Sequence, residues 1–157
     1  MKSLLVVLFL FFTGCSMMNT PFQNVMVENK QAVSNLISKT NLKKDDVVIV
    51  TTIADINNLD KSSQFGRTLS EQVINELVNY GIRVKELKFA NHVFIKRRTG
   101  EFILSRNIRK LAKDVNISYV VVGTYSKLPQ SKTTYVNLKI IDPKTDIIIA
   151  SSDYIAE

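Results

Sequence analysis

The chain has 157 residues, with 21 Lys and Arg against 14 Asp and Glu, one cysteine, one histidine and no tryptophan. That length suits one domain with a sizeable core. The single Cys and single His exclude a His/Cys zinc site and an internal disulfide within one chain, and the basic balance suits an anionic partner surface.

Lys2 opens the chain, and Leu4 to Phe12 is an unbroken apolar run followed by Thr13-Gly14. A positive start, an apolar middle and small residues at the end make a secretory signal. The run is far short of the roughly 20 residues needed to span a bilayer, so residues 1–14 are expected to be removed. Cys15 stands at the cleavage point and resembles the cysteine of a bacterial lipobox, with Phe12 where that motif more often has Leu. The resemblance implies acylation of Cys15, for example with palmitate. The plainer alternative is an ordinary signal peptide with a chance cysteine. Ser16 resembles the residue of lipoproteins sorted to the outer membrane. An exported chain rarely meets nucleic acid, so the expected anionic partners are lipid headgroups, glycan or acidic proteins.

Residues 15–45 read as a lipidated tether and lead-in. Pro21 discourages helix around it. Val25, Met26, Val33, Leu36 and Ile37 have helical spacing, broken by the polar stretch Glu28 to Gln31. This predicts a short helix lying on the domain or on a neighbour. Residues 46–157 read as the domain. Val47 to Ile53 is β-branched on both faces, as in a covered central strand. A polar loop follows from Asp55 to Asp60. Ser62-Ser63 can cap a helix from Gln64 to Tyr80. Phe65, Leu69, Val73, Ile74, Leu77 and Val78 share one face of it. Gly66 and Ser70 lie within that face, where small residues permit close approach to a sheet. Gly81 stands where a left-handed cap is expected.

Ile82 to Leu87 alternates like a half-exposed strand. A short strand is expected within Ala90 to Arg98, with Val93, Phe94 and Ile95, and Lys96-Arg97-Arg98-Thr99-Gly100 reads as a basic turn. That turn is a solvated loop or a binding patch. Leu104, Ile108, Leu111, Ala112 and Val115 recur at helical spacing, with Ser105 as a cap. The other side of this helix carries Arg106, Arg109, Lys110 and Lys113. That stripe is either a solvated face or a contact surface for headgroups or an acidic partner. Ser118 to Tyr125, Thr133 to Ile141 and Ile147 to Tyr154 are strands. Turns at Pro129–Lys132 and Asp142–Asp146 join them into an antiparallel meander. Gly123 within a strand signals a bulge or a close backbone approach. Ile147-Ile148-Ile149 would form an apolar edge unless Val47 to Ile53 pairs beside it. The expected fold class is α+β, a mixed, largely antiparallel sheet with two main helices packed on one face.

No set of nucleophile, base and metal ligands stands out. His92 is alone, and the aspartates cluster in turns, where Asp is favoured anyway. No enzyme activity, metal or cofactor is expected.

Four blocks resemble the FlgO family: Ser63 to Gln72, Gly81 to Glu86, Gly100 to Arg106, and Val122 to Ser126. They occur in the family's order, and the resemblance runs from about Val47 to Tyr154. The family consists of outer-membrane lipoproteins needed for flagella and motility. The resemblance therefore implies a structural or assembly part of the flagellar basal body, periplasmic or in the basal body itself. It would be partnered by basal-body ring proteins or further copies of itself, and held to the outer membrane by its lipid. None of these blocks is catalytic. The alternative is a general envelope lipoprotein that binds glycan or another envelope protein.

Overall fold

The computed structural model describes residues 21–59, 61–85, 95–98, 101–104, 116–128 and 133–156. In chain order the elements are α1 (Pro21–Ser38), β1 (Val47–Val50), β2 (Ala54–Asp55), α2 (Gln64–Asn79), β3 (Arg83–Lys85), β4 (Ile95–Arg98), β5 (Glu101–Leu104), β6 (Tyr119–Lys127), β7 (Thr134–Asp142) and β8 (Ile147–Ala156). The main sheet runs β3-β1-β6-β7-β8, and β2 also pairs with β6. β1 is parallel to β3 and to β6. The β6-β7-β8 meander is antiparallel throughout. The fold is α+β, with two helices on one face of a mixed sheet.

Those two helices are α1 and α2. α1 lies over β7 and β8, α2 lies over β1 and β3, and the helices touch each other. One apolar cluster joins Val33 and Leu36 of α1, Leu69, Val73 and Leu77 of α2, and Val48, Val121, Leu138 and Ile140 of the sheet. The helical spacing in the lead-in thus belongs to an element of the core. Pro21 does not keep helix away, because it is the first residue of α1. At that position its missing N–H would have no intrahelical partner anyway, and its fixed φ already suits a helix. Of the second helix expected from the sequence, Leu104 instead ends β5, and residues 105–115 lie outside the described residues.

α2 begins as its sequence requires. Ser63 is extended and its Oγ accepts from the Gly66 amide at 2.9 Å. Gly81 closes the helix at φ +81°. Between these ends the helix descends onto the chain after β1. A Cβ on Gly66 would stand 1.9 Å from the Ile53 carbonyl oxygen. Ser70 Oγ accepts from the Ile53 amide at 2.8 Å and donates to the Gly66 carbonyl at 2.7 Å. The β-branched run therefore stops being a strand after Val50. Thr51 still donates to the Val121 carbonyl at 2.9 Å, whereas Ile53 gives its N–H to a helix side chain. Gly123 also marks a close approach, since a Cβ there would lie 2.8 Å from side-chain atoms of both Ile53 and Leu138.

Two further expectations need correction. Lys96-Arg97-Arg98 is the second part of β4, not a turn, and Glu101–Leu104 is a strand paired with it. The register sets Arg98 opposite Glu101 and Ile95 opposite Leu104. Every residue of β4 has a partner in β5, so the strand extends through the basic residues. The alternative in which Val47 to Ile53 pairs beside the last strand also fails, since β6 and β7 separate β1 from β8.

Candidate interaction surface

α1 and α2 run parallel in constant register. Gln72 Nε2 donates to the Met26 carbonyl, Lys30 Nζ lies 3.8 Å from Glu76, and Tyr80 donates to Ser34 Oγ at 3.0 Å. Asn29 is the buried member of this line, with no solvent exposure. Its amide nitrogen donates to the Leu69 carbonyl at 3.2 Å and to Gln72 Oε1 at 3.0 Å. Its oxygen accepts from the Tyr154 hydroxyl at 3.0 Å. One amide thus fixes α1 to α2 and to β8. Burial, and after it the negative charge of Glu28, push the Tyr154 phenol well above its ordinary pKa, so it keeps the proton it donates. Its folded pKa is raised, so this contribution to stability is complete below the unfolded value of about 10 and is lost above it.

Replacing Asn29 by Ala is expected to cost about 1–3 kcal/mol, because the buried Tyr154 hydroxyl loses its acceptor. Urea titration of Asn29→Ala, Tyr154→Phe and the double variant checks this. The double variant should lose less than the sum of the singles, since both remove one bond.

The other surface of interest is the last strand. β8 pairs with β7 on one side and with no described strand on the other. Ala150, Ser152, Tyr154 and Ala156 turn toward the helices and are buried, while Ser151, Asp153 and Ile155 are exposed. Ile147, Ile148 and Ile149 are exposed as well, Ile147 by 59%. The register against β7 slips between Ile140 and Ile141, which pair with Ala150 and Ile148, so Ile149 is the extra residue of a bulge. Beside Ile155 (55% exposed) stands its cross-strand partner Tyr135, also exposed. Lys39, just past the end of α1, donates to the Ser151 carbonyl at 3.3 Å. The geometry offers a hydrogen-bonding edge and apolar side chains, which is the chemistry of protein association.

Of the residues singled out in the sequence, Cys15, His92 and the stripe Arg106, Arg109, Lys110 and Lys113 lie outside the described residues. The apolar edge at Ile147 to Ile149 is where the sequence put it. Asn29 was missed, because in a helical pattern it reads as a polar gap. Its signal was its position four residues after Val25 and four before Val33, on the stripe itself. Among the described residues no three of His, Cys, Asp and Glu gather as metal ligands, and no helix is long and apolar enough to cross a membrane.

The family described as FlgO protein matches residues 30–157. This chain belongs to the FlgO family. No curated protein matches it. Among solved structures, the FlgO-family fold is similar to the LpoB C-terminal domain from Salmonella enterica, with a TM-score of 0.60 and 13% identity over 83% of this chain and 96% of that one. The LpoB C-terminal domain from Escherichia coli gives 0.57 and 16% over 83% and 98%. A PelC dodecamer from Paraburkholderia phytofirmans gives 0.51 and 17% over 74% of each chain. At such identities the likeness is one of fold.

Proposed function

We propose that this protein is a lipid-anchored envelope protein that acts as a structural or assembly component of the flagellar basal body at the outer membrane. The observation that carries this reading is the FlgO match over residues 30–157. The signal-like segment at residues 1–14, followed by Cys15, supports export and anchoring. The reading is non-catalytic: the surface offers contact chemistry, and its partners are ring proteins or further copies. A deletion strain tests it. Loss of flagella or swimming with normal envelope integrity supports the basal-body role. Normal flagella with leakage or detergent sensitivity supports a general envelope lipoprotein that binds glycan or another envelope protein.

Two substitutions probe the parts. Cys15→Ser is expected to leave unprocessed or soluble periplasmic protein, because each buried CH₂ of the lipid contributes about 0.8 kcal/mol to membrane attachment. Membrane fractionation and the mass of the mature chain report the result, and an unlipidated chain that still follows the outer membrane would sink the anchoring idea. Charge reversal of Arg109 and Lys110 to Glu should preserve abundance and reduce motility if the stripe is a contact surface. Normal swimming and flagellar number at normal abundance would identify it as a solvated face.

A further inference from the structure

We propose that β8 is the seam of a two-fold dimer, pairing antiparallel with the β8 of a second copy about Ser152. The inference deepens the assembly reading above and rests on it only for the expectation that the chain self-associates. Edge strands of stable monomers are usually short, or carry Lys, Pro or several charges. β8 has ten residues, no proline and Asp153 as its single charge, and its one blunting irregularity, the bulge at Ile149, leaves Ala150 to Ala156 in regular register.

The order of its residues favours its own copy as the occupant. Pairing about Ser152 sets Ile149 against the second copy's Ile155 and Ser151 against its Asp153. Apolar meets apolar, and the carboxylate meets a small polar residue rather than a second charge, with the Ser151 hydroxyl exchanging its bond to the Leu138 carbonyl for one to Asp153. On the helix side the same register sets Ala150 against Tyr154, small against large. Sliding by two residues spoils this in either direction. One slide opposes Asp153 to Asp153, and like charges directly opposite are destabilising. The other opposes Asp153 to Ile149. The two-fold axis stands perpendicular to the sheet, so both helix layers stay on one side and the ladder continues from one copy into the next. Lys39, which donates to the Ser151 carbonyl, sits at this seam and must swing aside. It acts as a guard that weakens the pairing without excluding it. A single edge is a small interface, and confinement of both copies to one membrane raises their effective concentration.

The test uses full chains in native membranes. One tagged copy carries Ile149→Cys and a differently tagged copy carries Ile155→Cys. Oxidation is expected to join the two tags, and to do so more when both copies also carry Lys39→Ala. The same Ile149→Cys copy should not join to Asn57→Cys, an exposed site away from β8. Equal yields from the two pairings overturn the proposal, and so does stronger joining of two Asp153→Cys copies, which marks another register. As a second measurement, sedimentation of the purified lipidated chain in detergent should show a dimer that Ile155→Lys converts to monomer. A chain that stays monomeric at all concentrations overturns the proposal. Dimers in a strain whose flagella do not need the protein would refute the flagellar role and leave this inference standing.

Discussion

Gly66→Ala should cost at least about 3 kcal/mol, at the upper end of what overpacking a well-filled site does. The added Cβ would lie 1.9 Å from the Ile53 carbonyl oxygen, a backbone atom that cannot turn out of the way. α2 must lift off the sheet or the chain after β1 must retreat. Either movement disturbs the Ser70 hydroxyl, which bridges the Ile53 amide and the Gly66 carbonyl. Against a total stability of about 5–15 kcal/mol the loss is large, and the melting temperature should fall by roughly 10 °C. Gly81→Ala separates crowding from backbone preference. Its nearest neighbours are Lys44 side-chain atoms at 3.6 Å and beyond, so it meets only the cost of φ +81°, about 1–2 kcal/mol. Equal thermal losses in the two variants would show that the Gly66 contact is looser than the geometry says.

Leu77→Ala should cost about 2–5 kcal/mol, the lost transfer energy of the side chain plus the cavity it leaves. Leu77 is 1% exposed and belongs to the cluster under both helices. Guanidinium denaturation measures it, with the slope expected to stay unchanged. Val78, which the spacing counts on the same face as Leu77, is instead at its solvent margin and 54% exposed, and Val78→Ala should cost less than about 0.5 kcal/mol. If Leu77→Ala is as mild as Val78→Ala, α2 does not present the face described.

Much of this fold was legible because the deciding residues act locally. Ser63 and Gly81 bracket α2 through their own backbone chemistry, and the 3.6-residue spacing of Leu69, Val73 and Leu77 identifies the buried face. The alternation in β7 separated Val136, Leu138 and Ile140, all buried, from Tyr135, Asn137 and Lys139. What escaped depends on distant partners. Strand order has no local signature, so whether β1 or solvent lay beside β8 could not be decided from periodicity. Asn29 looks like a break in a helix until Tyr154 is beside it, and those residues are 125 positions apart. At Lys96 to Arg98 charge suggested a turn, whereas the pairing with Glu101–Leu104 makes a strand. Of the candidate site, the apolar edge was visible in three consecutive isoleucines. Its bulge was not, because it arises from the register between two strands.

The place of β1 in the sheet bears on how the chain reaches its native state. β1 is made early in synthesis, yet its two neighbours, β3 and β6, are both made later, and Val48 waits for Tyr119. A chain emerging from its N-terminus, at the ribosome or through a translocation channel, therefore holds this apolar strand with both sides open until β3 appears and with one side open until β6 appears. Non-local parallel pairing of this kind slows folding, and an unpaired apolar strand invites aggregation meanwhile. Vectorial folding from the first residue onward is closed to this topology. The chain's competence for export and its dependence on holding chaperones should both follow from the late arrival of β6.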